Sequence, residues 1–233
     1  MKAIILAGGL GTRISEETDT KPKPMVLLDD KPIIWHLMSI FAAQGFTDFV
    51  IATGYLGHVI HEWVDNLDSP WNVDALDTGS HTMTGGRIRK CMDFIGDERV
   101  FVTYGDGLAN INLQKLISFH EHQDRLATVT AVRPPARFGV LESINGMVTH
   151  FGEKRQADAG WINGGFFVLE NGVKNLIVDD FEPFETGPLP RMASSNQLSA
   201  YHHSDFWQPM DTLREKNELS AFAKIESPPW LII

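Results

Sequence analysis

The stretch MKAIILAGGLGTRISEETDTKPKPM, residues 1–25, decides the fold. Lys2–Leu6 is a short apolar run that reads as a buried first strand, and it leads straight into glycines at positions 8, 9 and 11. Glycines at such a place let the backbone approach a ligand closely, so that several N–H groups can point at phosphate oxygens. Two familiar phosphate loops are excluded. A P-loop ends in Gly-Lys-Ser/Thr, whereas Gly11 is followed by Thr12 and Arg13. A G-x-G-x-x-G loop beginning at Gly9 needs a third glycine at position 14, which is Ile14. A glycine turn that merely lets the strand pack closely, or a phosphate cradle of another kind, remains. Arg13 can add a bidentate fork and Lys23 a mobile point charge. Lys21 and Lys23 each precede a proline, which biases them toward extended backbone and predicts a stiff strand carrying cations.

Outward from this stretch, strand and helix candidates alternate, the pattern of a mostly parallel sheet covered on both faces. Pro32 to Gln44 predicts a helix, with Pro32 in its first turn, Ile33, Leu37, Ile40 and Phe41 on one face, and Gly45 at its end. Strands are expected at Phe49–Thr53, Val73–Leu76, Val100–Thr103 and Ala127–Val132, and helices near His58–Val64, Gly85–Phe94 and Leu113–Gln123. Beyond residue 135 the pattern changes to α+β. Asn145-Gly146 is a β-hairpin turn signature, and GWINGGFFVLE reads as one further strand. A helix is expected from about Thr212, stopped by SPPW. The expectation is a single α/β domain over residues 1–233, mostly parallel in its sheet, with a small α+β elaboration in the second half.

Composition narrows the class of function. With 233 residues, 43% of them hydrophobic, the chain can bury a sizeable core. A formal net charge of -10 argues against a general nucleic-acid binder, yet it suits a site that holds a divalent cation through carboxylates. No apolar run of about 18 residues occurs, so no membrane span is expected, and the N-terminus lacks the layout of a signal peptide. The single cysteine, Cys91, cannot form an internal disulfide, and a cytoplasmic location is the expectation. Nine histidines invite a zinc check. His58/His61, His120/His122 and His202-His203 lack a cysteine or carboxylate set at zinc spacing, so surface or capping roles are expected.

The loop LAGGLGTR followed by KPKPM resembles the signature of the sugar-1-phosphate nucleotidyltransferases. KPIIWHLM, PWNVDALDTG, TMTGGR, YGDGLANI, PPARFGVL, WINGGFFVLE and FWQPMDTLREK extend the likeness over nearly the whole chain and are most similar to the glucose-1-phosphate cytidylyltransferases, which make CDP-glucose. The resemblance implies a Rossmann-like nucleotide-diphospho-sugar transferase fold, with residues 1–135 as a nucleotide-binding half, 136–210 as an acceptor-binding half and 211–233 as a C-terminal helix and tail. It implies CTP and a sugar 1-phosphate as partners, Mg²⁺ as cofactor, and pyrophosphate as leaving group. Assembly with copies of itself stays open.

Residue by residue, the resemblance implies that Leu6, Ala7, Gly8, Gly9, Gly11, Thr12 and Arg13 cradle the triphosphate, with Arg13 and Lys23 catalytic. Thr84, Gly85 and Gly86 match the segment that approaches the base, against the plainer reading of a helix start with Arg87 as a surface residue. Asp106, just past a strand end, and Asp211 match the two metal carboxylates; alternatively they are a turn aspartate and a helix N-cap. Gly139, Glu153, Lys154, Asn163 and Gly164 match the acceptor side. Phe206 and Trp207 either wall the site or belong to the core.

Two departures from the family pattern stand out. Between GYLGHVIHEW and PWNV a longer family segment is reduced to VDNLDSP. E-x-E-P-L becomes ETGPL, with Gly187 at the second glutamate, and EKP becomes Glu153-Lys154-Arg155. The acceptor is therefore glucose 1-phosphate or another phosphorylated compound, including a phosphonate. A non-catalytic nucleotide-sugar binding homologue is a rival from another class. A metal-dependent glycosyltransferase would carry an Asp-x-Asp, and YGDGLAN offers one aspartate.

Overall fold

The computed structural model describes residues 1–9, 11, 18–134, 139–153 and 160–231. Its strands and helices, in chain order, are β1 (Ala3–Leu6), β2 (Leu27–Leu28), β3 (Lys31–Pro32), α1 (Ile33–Ala42), β4 (Asp48–Thr53), α2 (Gly57–Asp65), β5 (Asn72–Asp77) and α3 (Thr84–Ile95). They continue with β6 (Val100–Tyr104), β7 (Gly107–Ala109), α4 (Leu113–Gln123), β8 (Ala127–Val132), β9 (Gly139–Ile144) and β10 (Met147–Glu153). The last are β11 (Ile162–Asn163), β12 (Phe167–Leu169), α5 (Pro188–Ser194), β13 (Leu198–His203), β14 (Trp207–Pro209) and α6 (Leu213–Ala223).

β1 is buried at every residue and lies between β4 and β6, parallel to both. The main sheet runs β11-β8-β12-β6-β1-β4-β5, with β13 along the other edge of β8. β5 is parallel to β4 and β13 to β8, whereas β11 and β12 run antiparallel to their neighbours. The sheet is thus mixed and mostly parallel, as the alternation of elements predicts.

Its period-2 alternation feeds two cores. Ala3, Ile5, Phe49, Ile51 and Phe101 face α1, where Ile33, Leu37 and Phe41 meet them. Ile4, Leu6, Val50, Ala52 and Val102 face α3, through Ile88, Cys91 and Met92. Buried among apolar neighbours, the Cys91 thiol is pushed up to about 12, so it stays an inert thiol. Among the described residues no helix is long and apolar enough to cross a membrane.

Four local expectations change. Pro32 is extended (φ -67, ψ 151) and precedes α1 rather than lying in its first turn. Lys23–Met25 forms a 3-10 turn in place of the stiff strand that the two Lys-Pro steps predict. GWINGGFFVLE is not one strand. β11 and β12 lie along the same edge of β8, but two extra residues separate their registers, with Gly165 (φ +75) and Phe166 (φ +48) in left-handed conformation at the break. The histidines also differ from a surface set. His36, His120 and His203 are buried, with His120 between Thr128 and Glu170 and His203 donating to the Phe206 carbonyl. The β9–β10 hairpin forms as read, with Asn145 and Gly146 both at positive φ (49 and 81), as a two-residue I′ turn requires.

Candidate active site

A cavity of about 1040 Å³ opens at the carboxyl ends of β1 and β6, the place where open α/β sheets bind ligands. The backbone of Leu6, Ala7, Gly8, Gly9 and Gly11 forms one wall. Gly11 has φ +65 and accepts the Thr18 hydroxyl at its carbonyl, 3.0 Å away. Thr12, Arg13 and Lys154 lie outside the described residues.

Two pieces of local structure bring the charged groups together. Pro24 packs against Gly105, where no side chain would fit, so the 3-10 turn carrying Lys23 docks on the YGDG turn. Antiparallel pairing of β14 with β7 sets Pro209 opposite Gly107, and Met210 N–H donates to the Asp106 carbonyl at 2.8 Å. Asp211 therefore lands beside Asp106, although 104 residues separate them in the chain. Lys23 Nζ donates to Asp106 Oδ2 at 2.6 Å and to Asp211 Oδ1 at 2.9 Å. Burial works to lower the ammonium's pKa, but the two carboxylates outweigh it and hold the pKa above the ordinary lysine value.

This arrangement bears on the metal. Two carboxylates from different elements converge on one cation and still line the cavity, which makes a hard oxygen donor set of the kind Mg²⁺ prefers while keeping most of its waters. Among the described residues no group of three or more His, Cys, Asp and Glu side chains gathers to hold a metal, so the histidines offer no competing centre. Asp211 is not the N-cap of α6. Thr212 is, in a capping box with Glu215, whose carboxylate also accepts the Asp211 N–H at 2.8 Å.

Thr84, at the start of α3, lines the cavity. Gly85 and Gly86 do not: they lie against the backbone of Glu182 and Asp180, where any Cβ would collide. Their smallness serves the docking of α3 on the 180–182 loop. Arg87 is not a surface residue. It is buried, and its guanidinium donates to the carbonyls of Thr53 (2.8 Å) and Gly8 (2.9 Å) and to Thr78 Oγ1 (2.5 Å). It ties the first loop to the ends of β4 and β5, and it occupies the space a side chain at residue 8 would need.

On the opposite wall, Asn163 lines the cavity, while Gly164 packs against Val132 and accepts Trp207 Nε1–H at its carbonyl, 2.9 Å away. Trp207 walls the cavity, whereas Phe206 packs against Phe222 and Trp230. Gly139 and Glu153 pair at the base of the β9–β10 hairpin. Gly187 sits at the start of α5 against Glu182, which is ion-paired with Arg191, so this departure from the family pattern falls on packing outside the cavity wall.

Sequence reasoning missed Arg87, Tyr104 and Glu185. Tyr104 OH donates to Glu185 Oε1 at 2.7 Å, and Thr84 Oγ1 donates to Glu185 Oε2 at 2.6 Å. Only a long-range contact map would have found them. For Arg87 the neighbouring glycine pair was the one local signal.

The glucose-1-phosphate cytidylyltransferases of Salmonella typhimurium and Salmonella typhi are each 44% identical over 253 residues, covering 99% of this chain and 98% of theirs. An alignment of 253 positions over a chain of 233 leaves at least 20 positions of each relative without a counterpart here. The structure of HddC from Yersinia pseudotuberculosis, complexed with GMP-PN, superposes with a TM-score of 0.77 over 96% of this chain and 99% of that one, at 24% identity, and shows the same fold. Residues 2–212 match the nucleotidyl transferase family, and the chain belongs to it.

Proposed function

We propose that this nucleotidyltransferase joins CTP to glucose 1-phosphate, releasing pyrophosphate and forming CDP-glucose. The observation that carries the chemistry is the convergence of Lys23, Asp106 and Asp211 at a cavity that the glycine loop also lines. The choice of base and sugar rests on full-length identity of 44% to two enzymes of that name.

An oxygen of the sugar phosphate attacks the α-phosphorus of CTP, and the bond to the β-phosphate oxygen breaks. The attacking oxygen is already anionic, so no general base is needed. The obstacle is repulsion between polyanions, and the protein's task is positioning and charge stabilisation. Backbone N–H groups of the loop cradle the triphosphate, Arg13 offsets charge on the departing pyrophosphate, and Lys23 faces the reacting phosphates. Asp106 and Asp211 would hold Mg²⁺, which supplies Lewis-acid neutralisation of phosphate oxygens when bound. Asn163 and Lys154 serve the acceptor. A cytoplasmic location suits an enzyme of soluble metabolites whose one cysteine is a buried free thiol.

The test is pyrophosphate release with Mg²⁺ across a grid of nucleoside triphosphates and phosphorylated acceptors. Release with CTP and glucose 1-phosphate is expected. Release with CTP and only a different acceptor would keep the chemistry and replace the sugar. No release across the grid would sink the catalytic reading in favour of a binding protein.

A further inference from the structure

Glu185 is an anomaly in this cavity. A carboxylate on the wall of a site for two polyanionic substrates repels both, so its presence there calls for another role. Both of its oxygens are hydrogen-bonded. Oε2 accepts from Thr84 Oγ1, which in turn accepts from the Phe184 N–H at 2.8 Å. Oε1 accepts from Tyr104 OH.

The direction of the second bond has a consequence. An ionised carboxylate can only accept, so the single phenol proton goes to Glu185 and the phenol oxygen must accept from its other neighbour. That neighbour is Asn163 Nδ2, 3.0 Å away. The amide's oxygen, Oδ1, accepts the Gly165 N–H at 2.9 Å, at the register break between β11 and β12. The Asn163 amide is therefore oriented from both ends, and its second Nδ2 hydrogen is left for a ligand in the cavity that Asn163 lines.

We infer that Glu185 is a positioning residue for the acceptor, acting through the Tyr104 hydroxyl to fix which end of the Asn163 amide the acceptor meets. The inference rests on the proposed role of Asn163 at the acceptor side. Without an acceptor at Glu185, the phenol proton turns toward Asn163 and the amide loses its reason to present nitrogen to an anionic oxygen.

Tyr104→Phe and Glu185→Leu test this in steady-state assays with CTP and glucose 1-phosphate, beside melting temperatures. The expected result for both is a KM for the acceptor raised about tenfold, with KM for CTP within about twofold of the parent. A merely structural role would move both KM values together, or lower the melting temperature with kcat, and would overturn the inference. So would an unchanged acceptor KM in both variants. If the unmodified enzyme turns over a different phosphorylated acceptor, the proposed sugar is wrong and the same split is read with that acceptor. If it is inert with all acceptors, both readings fall.

Discussion

Lys23 shows what single residues contribute. Its ammonium lies between two carboxylates that would otherwise repel each other, and its pKa stands above the ordinary lysine value because their pull exceeds the cost of burial. A group whose pKa is raised on folding contributes stability fully below its unfolded value and loses it only as pH rises through the folded value. Activity should therefore show no basic limb from Lys23 below about pH 9, given an unfolded lysine pKa of about 10.4. A pH–rate profile falling there, and rescued in no buffer, would contradict the assignment. Lys23→Met should lower kcat/KM by about a thousandfold, roughly 4 kcal/mol of transition-state stabilisation. Gly8 tests a different contact. Its Cβ direction points into the Arg87 guanidinium, so Gly8→Ala should cost about 1–3 kcal/mol in urea melts. In combination with Arg87→Ala the two losses should be less than additive, and strict additivity would show that the contact does not couple them.

Elements act here chiefly by aiming residues. The β7–β14 ladder sets Asp211 beside Asp106, and the capping box of α6 holds the backbone of Asp211 through Glu215. Thr212→Ala should cost about 1 kcal/mol of stability and raise the Mg²⁺ concentration for half-maximal rate. A stability loss with unchanged Mg²⁺ dependence would mean that the cap serves the helix alone. The element scale was also the most legible in the sequence. Apolar runs at β1, β4, β6 and β8 are legible because buried strands need no partner information to be recognised, and the Thr212 helix start carries its own Thr-x-x-Glu signal. The misreadings lie where tertiary contact decides the backbone. Lys23 turns where Pro24 docks on Gly105, and the strand after Trp161 is broken at the left-handed pair Gly165 and Phe166, which follows the close packing of Gly164 on Val132. Arg87 and Glu185 stand inside the quoted patterns TMTGGR and ETGPL, but their roles escape because the partners that define them lie tens of residues away.

At the scale of the whole molecule, the cavity gathers residues from Leu6 to Asp211, so a ligand that fills it holds nearly the entire chain length together. Binding to the folded state alone should then stabilise the fold as a unit. With Mg²⁺ present, CTP at about a hundred times its dissociation constant should add about 2.7 kcal/mol and raise the melting temperature by about 5–10 °C. No shift at saturating CTP would remove the nucleotide from the cavity. The loop of residues 7–11 gave phosphate, KPKPM gave cations, and the family likeness gave the base and sugar; the convergence on Lys23 required the fold. The central claim is attack on the α-phosphorus of CTP by a sugar phosphate. The most direct measurement is ³¹P NMR of the protein with Mg²⁺, CTP and glucose 1-phosphate. The account predicts loss of the triphosphate signals with pyrophosphate and a sugar-linked diphosphate appearing in equal amounts. Orthophosphate with no new diphosphate ester, or no change at all, would contradict it.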